Sequence, residues 1–318
     1  MKSQTSADQR KVLRLLPRLV SWGITIVVLL VVGVLLWGTL SPPQFRQTLV
    51  IVDDPVHVVS FDIKRGRVTA ADIPLDTVIS AAFGYGKYSM RAIISLDAID
   101  RKHGELIMGS VSNALGLPVR GIVVGSGGGG ESANISSLRR VFGLGSMLSP
   151  LIDRSRTSVS FATWLHLVRT VATLSADAVR VVDLSPAMVP TTSPDGSMVP
   201  ILDASRVDYI LSDTFFDADL RAENISVAVY NTTSVPAIGS RASRILSRVG
   251  MQLVFIGNSE PELERCRITG SEAAQISKTA RFLQTYFGCE RQKEGSTPEG
   301  TVADLTVLLG NDFADRYR

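Results

Sequence analysis

The sequence predicts an α/β protein in three parts: an N-terminal transmembrane helix, a mixed α/β domain, and a small C-terminal α/β domain with its helices on one sheet face. Three observations carry this prediction. Residues 19–40 form an uncharged apolar run. Beyond it, segments rich in β-branched residues alternate with segments whose apolar residues recur at helical spacing. From about residue 221 the order reads β-α-β-β-α-β-β, the pattern of a small layered domain.

The run Leu19 to Leu40, LVSWGITIVVLLVVGVLLWGTL, lies in a stretch without charge between Arg18 and Arg46. As a helix it would be roughly 33 Å long, enough for a hydrocarbon core of about 30 Å. Trp22 and Trp37 fall near its ends, where indoles favour the interface. Lys2, Arg10, Lys11, Arg14 and Arg18 precede it against the single Asp8, so the positive-inside rule places the N-terminus in the cytoplasm and residues 41–318 outside. The rival reading is a cleaved signal peptide. Its apolar region would be shorter, roughly 7–15 residues, and an A-x-A-like site would follow, where this chain has Ser41-Pro42-Pro43. The expected organisation is a basic tail over 1–18, an anchor over 19–40, a linker over 41–48, and domains over 49–220 and 221–318.

Within the exported part the elements follow in order. Leu49–Asp53, Val56–Ile63 and Arg67–Ile73 read as strands, the last two joined at Lys64-Arg65-Gly66 as a hairpin. Ile94, Ile99, Leu106, Ile107, Val111, Ala114 and Leu115 give one helix over Ile93–Leu115, closed by Gly116 with Pro118 beyond. Val119–Val124 is a short buried strand. Phe161, Trp164, Leu165, Val168 and Val171 mark an amphipathic helix. Val179–Leu184 and Met198–Leu202 read as strands around a turn at Ser193-Pro194-Asp195-Gly196, and Asp203 caps a helix ending near Ser212. The last domain begins with a strand over Ile225–Tyr230. A helix face of Ile238, Ala242, Ile245, Leu246 and Val249 follows, stopped by Gly250. Strands over Gln252–Ile256 and Arg265–Thr269 come next, then a helix from its Ser271 cap to Tyr286, with Glu272 in its first turn favouring the dipole. A weak strand over Glu290–Lys293 and a final one over Asp304–Leu309 complete it.

Charge excludes one class of function. The net charge is +3, which the basic tail more than accounts for, so the exported part carries no footprint for nucleic acid. Arg139-Arg140 and Arg154/Arg156 read as a solvated or membrane-proximal face. Both cysteines, Cys266 and Cys289, fall outside the membrane, where an even count fits one disulfide closing a loop of about two dozen residues. Such a bridge adds on the order of 3 kcal/mol; the alternative is two unpaired buried thiols. There is no C-x-x-C, and His57, His103 and His166 stand far apart in sequence, which argues against zinc.

Other motifs are weak. Gly125-Ser126-Gly127-Gly128-Gly129-Gly130 contains a G-x-G-x-x-G after a strand, but no acid-terminated second strand follows about 20 residues on, as a ribose contact needs. A surface loop is expected there. No G-K-[ST] and no G-x-S-x-G occur. Asp62, Asp72 and Asp76 are the acidic candidates, since carboxylates at strand ends near Arg or Lys can hold Mg²⁺ against a pyrophosphate. The plainer reading of each is turn chemistry.

A resemblance adds to this. Residues 223–313, with Val227-Ala228-Val229-Tyr230-Asn231-Thr232-Thr233 before the helix Ala237–Gly250 and Ala303–Phe313 at the close, resemble the LytR C-terminal domain. Upstream, Pro55–Asp62, the hairpin Lys64–Val68, Ile73-Pro74-Leu75-Asp76-Thr77 and Leu115-Gly116-Leu117-Pro118-Val119 resemble a reduced LytR-CpsA-Psr protein. That resemblance implies a membrane-anchored phosphotransferase. Such enzymes move glycopolymer from a polyprenyl-pyrophosphate carrier to the bacterial wall, with arginines, aspartates and Mg²⁺ around the pyrophosphate. The implied partners are the bilayer, a polyprenyl-phosphate lipid, a wall glycopolymer or another envelope protein.

Two departures weigh against activity. The family has arginine where this chain has Leu75, and leucine offers phosphate neither fork nor charge. Its later arginine-rich segment has no counterpart here, since Arg139, Arg140, Arg154 and Arg156 lie outside the pattern. Losing one transition-state contact commonly costs about 10²–10³ in rate. The expected function is therefore a non-catalytic or degenerate relative that binds or scaffolds at the wall, without a cofactor. The alternative is an active Mg²⁺-dependent transferase rebuilt from Arg65, Arg67, Arg91 and Arg120. In that case Asp76, Arg67 and Arg91 are the catalytic candidates and Asp62 and Asp76 the metal ligands. Convergence of those side chains on an apolar pocket favours the enzyme; a pocket filled by core favours binding. A transcriptional regulator is disfavoured, because a cytoplasmic segment of about 18 residues holds no DNA-binding domain.

Overall fold

The computed structural model describes residues 22–23, 25–33, 43–125, 130, 132–152, 157–192, 196–292 and 302–317. Residues 22–23 and 25–33 are helical, with Trp22 and Ile26–Val32 exposed. Among the described residues no helix is long and apolar enough to cross a membrane, and the rest of the expected anchor lies outside them.

The N-terminal sheet is built on a meander. β1 (Gln47–Val52), β2 (Val56–Asp62) and β3 (Arg67–Ile73) pair antiparallel, β6 (Val119–Val124) adds parallel to β1, and β7 (Val179–Val182) adds parallel to β3. Both faces are covered, which is why all seven residues of β2 are buried, His57, Ser60 and Asp62 included. Val56 and Val58 face a core with Leu106, Val111 and Leu115. Val59 and Phe61 face the opposite core, with Leu138, Phe142 and Trp164. The first core is covered by α1 (Met90–Ile99) and α2 (Glu105–Leu115), the second by α3 (Ile135–Phe142) and α4 (Phe161–Thr173). A small sheet of β4 (Val78–Ala81), β5 (Gly86–Ser89), β8 (Met188–Thr192) and β9 (Met198–Leu202) flanks them in the order β5-β4-β9-β8, followed by α5 (Ala204–Leu211) and α6 (Ala218–Glu223).

The C-terminal sheet has the order β11-β10-β14-β12-β13, with β10 (Ser226–Asn231), β11 (Gln252–Asn258) and β14 (Leu305–Leu309) parallel. β12 (Arg267–Gly270) and β13 (Glu290–Arg291) complete it. α7 (Ile238–Val249), α8 (Lys278–Phe287) and α9 (Asn311–Tyr317) all bury apolar residues in one core with Val227, Val229 and Val307. Cys266 and Cys289 are bonded within it, their Cα atoms 4.4 Å apart.

Four expectations are corrected. The helix over Ile93–Leu115 is two helices, because Arg101, His103 and Gly104 take positive φ and the buried Asp97 carboxylate accepts the N–H groups of Gly104 (2.7 Å) and Leu106 (3.0 Å), capping the second. The helix from Ser271 likewise breaks: Glu272–Gln275 makes one turn, and Ser277 caps α8 through the Ala280 N–H. The strands around residues 193–196 are β8 and β9, while β7 joins the larger sheet. The chain also ends in a helix, α9, after the last expected strand. Of the loop at Gly125–Gly130, residues 126–129 lie outside the described residues.

Phe45 and Leu220 both belong to the C-terminal core. The expected linker over 41–48 therefore enters the fold, and its Gln47 and Thr48 begin β1.

Candidate functional site

The residues singled out in the sequence fall at three separate places. Asp76 sits in the turn after β3, where the Thr77 N–H donates to the Pro74 carbonyl (3.0 Å) and the Arg91 N–H to the Leu75 carbonyl (2.8 Å). Its carboxylate is 3.5 Å from Arg91 Nε, and both side chains are largely in water, at 80% and 60% exposure. An ion pair so exposed contributes at most about 1 kcal/mol. Leu75, just before Asp76, is half-buried against the apolar core beside β3.

Asp62, Arg65 and Arg67 lie at the other end of the same strands. β3 runs about 20 Å from Arg67 to Ile73 at roughly 3.3 Å per residue, so Asp62 and Asp76 cannot share a cation. Among the described residues no three His, Cys, Asp or Glu side chains group to hold a metal, and Asp76 faces Arg91 alone. The donor set does not fit the Mg²⁺ that the resemblance implied. Arg65 instead pairs with Asp62 (3.3 Å) and Asp219 (2.9 Å). With Arg46, Arg67 and Arg180 it lines a cleft of about 680 Å³.

Arg120 is elsewhere again. Its guanidinium lies 4.3 Å from the Tyr286 ring centre and donates to the Thr285 carbonyl at 3.1 Å. It lines a cleft of about 450 Å³ between the two domains with Met108, Asp315 and Arg316. The four arginines of the rebuilt-transferase alternative therefore do not converge on Asp76.

One arrangement was not legible in the sequence. His57 Nδ1 and Asp72 Oδ1, opposite each other on β2 and β3, are 2.7 Å apart and mostly buried. Asp72 also accepts the Ala133 N–H at 3.1 Å. This ties the segment after the glycine run to the sheet. At Gly125 a Cβ would lie 2.5 Å from an Asp53 carboxylate oxygen, so a larger residue there would have to displace the Asp53 side chain. The strand register that opposes His57 to Asp72 was the signal available; the approach of residue 133 had none.

Residues 224–313 match the family model described as LytR cell envelope-related transcriptional attenuator, and this stretch is a LytR C-terminal domain. Among solved structures the chain is similar to TagV of Bacillus subtilis, at 12% identity and a TM-score of 0.39, covering 53% of this chain and 95% of that one. It is similar also to YwtF (TagT), a LytR-CPS2A-psr family protein with bound octaprenyl pyrophosphate lipid, at 16% identity and a TM-score of 0.36, covering 54% and 89%. A third is YvhJ, a transcriptional regulator from Bacillus subtilis, at 12% identity and a TM-score of 0.37, covering 53% and 94%. No curated protein matches the sequence.

Proposed function

We propose that this chain is a single-pass, membrane-anchored protein of the bacterial cell envelope. Residues 41–318 lie outside, and it binds or scaffolds at the cell wall rather than transferring glycopolymer. The observation that carries the reading is Leu75. Where the resembling family places a phosphate-binding arginine, this half-buried side chain packs against the core, and Arg91, Arg65 with Arg67, and Arg120 stand at three separate places. A pyrophosphate in transfer needs several converging positive groups; among the described residues Asp76 pairs with Arg91 and no other basic side chain. The LytR C-terminal domain supports an envelope role. The uncharged run of residues 19–40, behind a basic tail, supports the anchor and its orientation.

The test is a transfer assay on the detergent-extracted full chain, with a polyprenyl-pyrophosphate-linked glycopolymer, Mg²⁺ and a peptidoglycan acceptor. No product above background is expected. Product formation abolished by Asp76→Ala would overturn the reading in favour of the active transferase. The anchor is checked separately: the full chain is expected to stay in membranes through alkaline carbonate, with residues 41–318 open to protease from outside.

A further inference from the structure

The cleft at the hairpin end of the N-terminal sheet belongs to no step of the reading above. Its arginines come from three parts of the chain: Arg46 just before β1, Arg65 and Arg67 at the hairpin, and Arg180 on β7. Arg46 is set into the floor. Its guanidinium donates to the Phe216 carbonyl (3.0 Å), the Ser60 carbonyl (3.4 Å) and Thr69 Oγ1 (3.0 Å), while its buried Nε has no partner. Thr69 pairs with Arg180 across β3 and β7. Arg67, two residues before Thr69, therefore shares its face, and the Cα atoms of Arg67 and Arg180 are about 8 Å apart by strand geometry. Among the described residues neither of these two has a carboxylate within 4.0 Å. Of the acids in the cleft, Asp62 is held by Arg65 (3.3 Å) and Asp213 by Arg221 (3.0 Å). That leaves Asp177 against two uncommitted guanidinium groups.

The position of the cleft tells what would fill it. β1 starts at this end of the sheet, because Gln47 pairs with Phe61. Arg46 follows Leu40 by six residues, which span at most about 20 Å. On the anchor reading, which this inference rests on, the basic end of the sheet is the end beside the bilayer, and Asp76 is at the far end. We propose that the cleft formed by Arg46, Arg65, Arg67 and Arg180 binds the phosphate of a phospholipid headgroup in the outer face of the membrane and so seats the N-terminal domain on the bilayer. Arginine forks suit phosphate oxygens, Thr69 and Thr214 add hydroxyls, and basic groups at a membrane surface gain from its anionic lipids.

The full chain in dodecyl maltoside is titrated with phosphatidylglycerol and read by native mass spectrometry, beside an Arg67→Gln/Arg180→Gln double variant. Both arginines are exposed and, among the described residues, make no side-chain hydrogen bond or ion pair, so the variant should keep the wild-type melting temperature. The expected result is lipid retention weakened roughly tenfold or more in the variant, and unchanged by Asp76→Ala. Equal retention in the variant overturns the proposal. So does binding of glycerol 3-phosphate as tight as that of the lipid, which would make the cleft a site for free organic phosphate. Loss of the full chain from membranes in alkaline carbonate would instead overturn the anchor reading beneath it.

Discussion

Asp219 receives Lys64 Nζ at 2.5 Å and an Arg65 nitrogen at 2.9 Å. These hydrogen bonds hold its pKa down from 3.8 to about 2. A carboxylate whose pKa is lowered on folding adds stability above its unfolded value, and that stability is lost as pH falls through the folded one. Stability should therefore decline between about pH 4 and pH 2 in part through this group. Asp219→Asn should flatten that portion of a plot of melting temperature against pH. Arg244 has a larger part. Its Nε meets Asp208 at 2.6 Å, and its other nitrogens donate to the carbonyls of Asn113 (2.5 Å) and Ala114 (2.9 Å), the orphan acceptors at the end of α2. Arg244→Ala is expected to cost about 2 kcal/mol, measured by urea unfolding. Leu75→Arg introduces the residue that the resembling family carries there, but not its neighbours. It should lose some core packing and gain no transfer activity in the assay above.

At the scale of elements, reducing the Cys266–Cys289 bridge opens a loop of 23 residues. It should destabilise the C-terminal domain by about 3 kcal/mol, seen as an earlier denaturation midpoint in reductant. This domain was the part most open to sequence reading. Val227 and Val229 alternate with neighbours on the other face, α7 shows its stripe from Ile238 to Val249, and Gly250 ends it with a φ of 96°. The hairpin β2–β3 was legible from its β-branched residues and from Lys64-Arg65-Gly66 between the two strands. The break between α1 and α2 was not, because Leu96, Ile99, Leu106 and Ile107 continue an apolar pattern across it. What separates the two is the positive φ of Arg101, His103 and Gly104, with the buried Asp97 carboxylate capping the second helix. α9 was missed because seven residues with three buried ones, Phe313, Ala314 and Tyr317, are too few to show a period. The candidate site was legible as residue types only. Sequence places Asp62 and Asp76 fourteen positions apart; antiparallel pairing is what sends them to opposite ends.

For the whole molecule, the two domains are joined by more than their connecting chain. Arg244 and Arg248 both hold Asp208, Asn113 donates to the Tyr317 carbonyl at 3.1 Å, and Tyr286 donates to the Arg46 carbonyl at 2.7 Å. The protein should unfold in a single cooperative transition by calorimetry, and Arg244→Ala with Asp208→Ala should split it in two. One feature of this junction bears on how a pull on the N-terminal segment would enter the fold. Phe45 lies edge-on to Phe282, with ring centres 5.4 Å apart, inside the C-terminal core, and Arg46 next to it is fixed to Asp217 and Thr69. If residues 19–40 are its tether, tension on that tether enters at the seam between the domains and divides between them. The C-terminal domain then does not trail at the end of the chain. It is fastened to the root of the tether, and a wall strand pulling on either domain would strain the same few side chains.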